Sequence, residues 1–470
     1  MSEQTKTQAQ LLQEKLALKR KNLGQELPDS TIGEADAYCE QYKCFLDNAK
    51  TEREAVDTIE QMAKDKGFVL YEQGKQYQPG DRVYYINRRK AVILAVMGKR
   101  SLAEGVRIAA AHIDSPRLDL KPQPLYEDGE MALFKTHYYG GIKKYQWTAM
   151  PLSLHGRVVL GDGTFVDVKL GEDEGDPVFC ITDLLPHLAN EQMKRTLNEG
   201  IKGEELNILV GSRPFKDDKA SELCKLNILR LLNEKYGMTE ADFLSAELEL
   251  VPTYKAKDVG FDRSLIGSYG QDDRVCAYTA LTATLECKDP EYTAVTVLTD
   301  KEEIGSDGNT GLNSAYLQYF IQSLADAEGV PYYQVLSHSQ CLSADVNAAF
   351  DPTWPDVMDP RNCARINYGV VVTKYTGARG KSGTSDASAE FVGQIRRLFD
   401  EKGVKWQIGE LGKVDAGGGG TVAMFIAALN VDVVDVGVPV LSMHAPFEVV
   451  SKIDVYMAHN AFSAFFADGQ

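Results

Sequence analysis

Hydrophobic spacing divides the chain into three stretches. Over residues 1–66 apolar positions recur at helical intervals, in Leu11-Leu12-Gln-Glu-Lys-Leu16-Ala-Leu18 and again across Ala37-Tyr38-Cys39 to Tyr42-Lys-Cys44-Phe45. Charged residues fill the gaps, which predicts amphipathic surface helices. From Phe68 the period shortens toward two. Residues 83–86 and 91–96 read as strands joined by a hairpin turn at Asn87-Arg-Arg-Lys90, and residues 107–112 as a strand that ends on a histidine. From about 120 to 253 prolines, glycines and short alternating runs, such as residues 154–160 and 165–170, predict a separate β-rich insertion.

Beyond Pro252 helical and strand patterns alternate, as in βαβ units. Helices are expected at residues 275–285, 314–324, 387–399 and 421–429, and strands at 293–298, 340–346, 369–373, 404–408 and 431–436. The fold class that follows is α/β, a mixed sheet flanked by helices. Residues 1–118 and 254–470 form one unit and 119–253 the insertion.

A length of 470 residues exceeds one ordinary core and agrees with two or three domains. No run approaches the roughly 20 apolar residues that span a bilayer, and the polar start Met1 to Gln10 lacks the apolar segment of a secretory signal, so a cytoplasmic location is expected. The eight cysteines are scattered without a C-x-x-C pair, which predicts reduced, buried thiols and no cysteine metal site. A formal net charge of -17 argues against nucleic acid and anionic membranes as partners.

Five segments share one design, a polar, metal-competent residue placed where an apolar run stops. They are Ala111-His112-Ile-Asp114, Gly270-Gln-Asp272-Asp273-Arg274, Asp300-Lys-Glu302-Glu303-Ile-Gly305, Ser343-Ala-Asp345 and Leu441-Ser-Met-His444. Singly, each has an ordinary structural reading: a hydrogen-bonded core histidine for His112 or His444, a helix N-cap for Asp272, a solvated acidic loop for Glu302-Glu303, a turn for Asp345. Together, at strand ends of one α/β block, two imidazoles and three carboxylates form the ligand set of a pair of divalent ions with one carboxylate bridging. A further carboxylate left unligated can take and return a water proton.

In this order and spacing the segments resemble the aspartyl aminopeptidase family of co-catalytic zinc peptidases, over about Phe68 to Phe465. The resemblance implies a zinc-peptidase-like sheet that binds two divalent ions per subunit, zinc in the first place with manganese or cobalt as substitutes. His112 and Asp345 would hold one ion and Glu303 and His444 the other, with Asp272 bridging, Glu302 as general base and acid, and Asp114 orienting the His112 imidazole. It also implies that the insertion serves dimer contacts within a larger homo-oligomer. In Leu185-Pro186-His187-Leu188, His187 would reach a neighbouring subunit's active site, and Lys374 would help to recognise the substrate. The substrates implied are peptides, cut at the N-terminal bond, with a preference for acidic N-terminal residues.

The chain departs from the family pattern after Asp345, where Val-Asn-Ala-Ala-Phe350-Asp-Pro contains no histidine, and after Lys374, where Tyr375-Thr-Gly-Ala-Arg379 replaces the family's aromatic segment. Two further readings fit the residues: a di-zinc carboxypeptidase or amide deacylase, and a non-enzymatic assembly protein that keeps the fold. The run Gly417 to Gly420 lacks the lysine of a phosphate-binding loop and predicts close backbone packing.

Overall fold

The computed structural model describes residues 6–469. The helical reading of residues 1–5, and Gln470 at the end of the expected catalytic unit, lie outside the described residues. A nine-stranded sheet runs Val69–Leu70, Arg82–Asn87, Ala91–Val96, Ala294–Thr299, Arg107–His112, Gln340–Ser343, Asp432–Gly437, Val370–Thr373, Trp406–Ile408. Its centre, from Ala294–Thr299 to Asp432–Gly437, is parallel, and the expected hairpin at 87–90 joins the antiparallel pair Arg82–Asn87 and Ala91–Val96.

The central strands are apolar at almost every position because both faces are covered. Val92, Leu94, Ala109 and Ala111 pack under one set of helices, which includes Asp29–Asn48, Gln271–Glu286 and Lys452–Phe466, while Ile93, Ala95, Ile108 and Ala110 pack under Tyr316–Glu328 on the other face. Carboxyl ends of three adjacent parallel strands, Ala294–Thr299, Arg107–His112 and Gln340–Ser343, therefore open on one edge of the sheet, the position where such folds hold their chemistry. A five-stranded sheet, Lys257–Val259, Leu265–Ser268, Glu448–Ser451, Pro439–Leu441, Asn347–Ala348, adds two more strand ends.

The seven-stranded antiparallel sheet lies wholly between Arg117 and Pro252 and has its own core around Phe134, Trp147, Leu154, Phe243 and Leu250. A buried charge cluster joins this sheet to the rest. Glu52 is inaccessible, with Arg117 Nη1 3.1 Å from its Oε2 and Lys90 Nζ 3.1 Å from its Oε1, the latter an ion pair without hydrogen-bond geometry. Arg117 also meets Asp119 and Glu249.

Some elements differ from the sequence reading. The helix Gln8–Leu16 buries none of its residues, so Leu11, Leu12 and Leu16 are exposed instead of packed. The helix expected at 421–429 shortens to Ala423–Ala427. Cys44 is exposed, because it lies on the solvent face of the helix Asp29–Asn48, whereas Cys39, Cys224, Cys276, Cys341 and Cys363 are buried. The glycine run does pack tightly: a Cβ on Gly417 would lie 1.9 Å from the Leu411 carbonyl oxygen. Among the described residues no helix is long and apolar enough to cross a membrane.

Candidate metal centre

Four of the five singled-out segments leave strands directly. His112 ends Arg107–His112, Glu302 and Glu303 form a single helical turn after Ala294–Thr299, Asp345 follows Gln340–Ser343, and His444 follows Pro439–Leu441. Asp272 and Asp273 follow Leu265–Ser268 at the start of Gln271–Glu286 with non-helical dihedrals, so they leave the helix axis instead of capping it.

Hydrogen bonding fixes the tautomer of both imidazoles. His112 Nδ1 lies 3.0 Å from the Asp114 carbonyl oxygen, and His444 Nδ1 lies 2.9 Å from the Gly141 carbonyl oxygen. A carbonyl only accepts, so each Nδ1 carries a proton, and Nε2 is the nitrogen left to serve a metal ion once it gives up any proton of its own. Both Nε2 atoms converge on one carboxylate: His112 Nε2 is 3.1 Å from Asp272 Oδ1 and His444 Nε2 is 3.2 Å from Asp272 Oδ2. Glu303 Oε2 is 3.6 Å from His444 Nε2.

Ligand atoms of His112, Asp272 and Glu303 lie within 4.8 Å of one another, as do those of His112, Asp273 and Asp345. Glu302 joins neither group, although its Oε2 is 3.8 Å from His112 Nε2. Asp114 stands behind the doublet, its Oδ1 accepting the Glu302 amide at 3.1 Å and its Oδ2 the Glu303 amide at 3.2 Å.

The electrostatics call for cations. Burial pushes the Asp273, Glu303 and Asp345 carboxyls well above the usual range, and Glu302 up to about 7. Burial also opposes ionisation of Asp272, but hydrogen bonds from His112 and His444 outweigh it and hold that carboxyl low. Asp273 Oδ1 and Glu303 Oε1 are buried without a hydrogen-bond partner. A buried carboxylate oxygen without a donor is costly unless a cation or proton meets it. Imidazole nitrogens and carboxylate oxygens without thiolate suit zinc, manganese or cobalt, so these residues fit divalent ions.

His187 and Lys374 make no described contact with the centre. His187 is exposed in the seven-stranded sheet's long loop, and Lys374 Nζ pairs with Asp386 Oδ1 at 2.7 Å. Two site residues are given no role by the sequence reading, which chooses Asp272 over Asp273. Asp273 stands as close to His112 and Asp345 as a ligand would, and the adjacent Asp-Asp pair was its only signal. Glu448, buried, accepts the Asp272 amide at 3.1 Å and the His444 amide at 2.7 Å, and nothing in its local sequence marks that double role.

Residues 45–466 match the family described as Aminopeptidase I zinc metalloprotease (M18). A probable M18 family aminopeptidase 1 of Clostridium acetobutylicum is 48% identical over 453 residues, covering 95% of this chain and 97% of the relative. The crystal structure of an M18 family aminopeptidase from Thermotoga maritima superposes with a TM-score of 0.92 at 44% identity, over 96% of this chain and 99% of that one. A yeast aminopeptidase solved as a dodecamer shares the fold alone, with a TM-score of 0.74 at 20% identity over 91% of this chain and 96% of that one. With a family match over most of its length and relatives this similar, the chain belongs to the M18 family of zinc metallo-aminopeptidases.

Proposed function

We propose that the centre holds two zinc ions and removes N-terminal residues from peptides, with His112 and Asp345 on one ion, Glu303 and His444 on the other, and Asp272 between them. The observation that carries this reading is the convergence of two imidazole Nε2 atoms on the two oxygens of Asp272, at 3.1 and 3.2 Å. Zinc bound there supplies Lewis acidity for the scissile carbonyl and lowers the pKa of water. Glu302 would accept the proton of the attacking water and return it to the departing amine; in support, it lies outside both ligand groups yet 3.8 Å from His112. Asp114 holds the doublet through both amides, an arrangement in which Glu303 would serve an ion and Glu302 the water. Membership of an aminopeptidase family supersedes the carboxypeptidase, deacylase and assembly-protein readings.

Metal analysis of protein purified without added ions tests the centre. About two divalent ions per chain, fewer in His112→Ala and in His444→Ala, is the expected result; no bound ion in the parent, or parent-like content in both variants, overturns it.

The same proposal extends to substrate choice. Lys374 and Lys381 share one acid, Asp386, at 2.7 and 2.8 Å, which leaves a local excess of positive charge in a strongly acidic chain. An N-terminal aspartate or glutamate side chain suits that site. Residues 119–253 would form homodimer contacts within a larger homo-oligomer and carry His187 into a neighbouring subunit's active site. In support, Leu184, Leu185, Leu188, Met193 and Leu197 are all at least half exposed around His187. A monomer by light scattering at micromolar concentration would sink this part.

A further inference from the structure

The strand Arg117–Asp128 leaves the nine-stranded sheet three residues after Asp114, and the next strand, Met131–Tyr139, returns antiparallel to it with Arg117 opposite Tyr139. The hairpin thus brings its far end, Tyr139-Gly140-Gly141, back to the point where the chain left the metal centre. All three residues touch that centre. The Tyr139 hydroxyl, on a side chain more than nine-tenths buried, donates to Asp114 Oδ2 at 2.7 Å. Its ring is held by Arg117, whose guanidinium carbon lies 4.0 Å from the ring centroid. Gly140, at φ +76°, leaves so little room that a Cβ would sit 3.1 Å from Glu303 Oε2 and 3.3 Å from Pro116 Cγ. The Gly141 carbonyl accepts from His444 Nδ1 at 2.9 Å, and a Cβ on Gly141 would lie 3.3 Å from that nitrogen.

The geometry points to a strap from the inserted sheet, Tyr139-Gly140-Gly141, that positions both metal-binding histidines, with Tyr139 acting on His112 and on the Glu302-Glu303 turn through Asp114. Four groups converge on the carboxylate of Asp114: the Tyr139 hydroxyl, the amides of Glu302 and Glu303, and the His112 ring, whose Nδ1 is 3.3 Å from Oδ1. The hydroxyl is the shortest of these bonds and, with the two amides, sets the carboxylate's rotation, on which the approach of the His112 ring depends. Without that donor, Asp114 is held by the two amides alone, and the aim of His112 Nε2 loosens with it. The Gly141 carbonyl does the equivalent work for His444 with no intermediary. The inserted sheet is on this account part of the metal centre as well as an appendage to it. Outer partners of metal-bound histidines typically account for about 10–100-fold in metal affinity or activity.

The inference rests on the two-ion reading above, and the test separates them. Tyr139→Phe keeps the ring, the Arg117 contact and the packing while removing only the donor. Zinc affinity is measured on the full chain by competition with a chelator, alongside kcat, KM and the unfolding midpoint, for the parent, Tyr139→Phe, Gly140→Ala and His112→Ala. The strap predicts roughly 10-fold or greater loss of zinc affinity in Tyr139→Phe, a fall in kcat with KM within about twofold, and an unchanged unfolding midpoint of the metal-free protein. Gly140→Ala should weaken zinc binding as well, through Glu303. Zinc affinity and kcat within about twofold of the parent in Tyr139→Phe, with His112→Ala still abolishing binding, overturns the strap alone. If His112→Ala binds zinc like the parent, the site reading itself fails. A lowered unfolding midpoint with unchanged zinc affinity assigns Tyr139 to packing and also overturns the inference.

Discussion

Glu52→Gln removes a buried negative charge without changing shape, and its effect can be worked from the geometry. Two cations lie 3.1 Å from the carboxylate, Arg117 and Lys90. Each contact is worth about 5 kcal/mol in gross Coulomb energy at an effective dielectric of about 20, most of which offsets the desolvation of the three groups. The net term follows from the carboxyl's titration. Burial raises it, but Arg117 and Lys90 prevail and bring it from 4.5 down to about 2 in the fold. A depression of that size contributes about 3 kcal/mol at neutral pH. The upper range of about 3–5 kcal/mol for breaking a buried pair is not expected, because Arg117 keeps Asp119 at 2.8 Å and Lys90 keeps Glu247 at 3.1 Å.

The sign of the pH dependence is fixed by the direction of the shift. Folding depresses this carboxyl, so its contribution is complete above 4.5 and disappears as pH falls through about 2, because the unfolded chain then takes up a proton that the fold refuses. Urea unfolding of the metal-free protein, followed by tryptophan fluorescence, measures the gap between parent and variant. It should be about 3 kcal/mol at pH 7 and narrower by about 1 kcal/mol near pH 3.5. A gap below about 1 kcal/mol at pH 7, or one that does not narrow in acid, refutes the reasoning.

Glu302→Gln should fold and bind zinc as the parent does while kcat falls by about 10²–10⁴-fold, the usual worth of a general base; turnover near the parent's would remove Glu302 from that role. Lys374→Met should lower kcat/KM for peptides with an N-terminal aspartate by about 10–100-fold, the loss of a charge-assisted hydrogen bond, and leave N-terminal leucine substrates unchanged. Equal losses on both substrates would mean that Lys374 matters to the loop, through Asp386, and not to recognition. Glu448→Ala should weaken zinc binding by about 10-fold or more, because the amides of both Asp272 and His444 lose their acceptor; chelator competition reads this, and parent-like affinity would refute it.

The strands and the residue types at their ends were legible in the chain itself. Strand alternation and buried apolar runs are local properties, so His112, Glu302-Glu303, Asp345 and His444 could each be placed at a strand terminus from a few neighbouring residues. The glycine run was legible for the same reason, since close backbone approach demands glycine wherever it occurs. The leucines of Gln8–Leu16 show the limit of such reasoning: periodicity gives a helix a face but not a partner, and here that face stays exposed. Which of two adjacent aspartates faces both imidazoles depends on two backbone dihedral pairs at Asp272 and Asp273, and no spacing rule encodes them. Glu448 and Tyr139 act through hydrogen bonds to residues 176 and 25 positions away, distances that only chain reversal can close. The sequence by itself determined which groups could bind a cation and that they end strands, because those are local consequences of side-chain chemistry and pattern. The tertiary structure decided which oxygen meets which nitrogen, because that depends on how separate sheets stack, to a precision of tenths of an ångström.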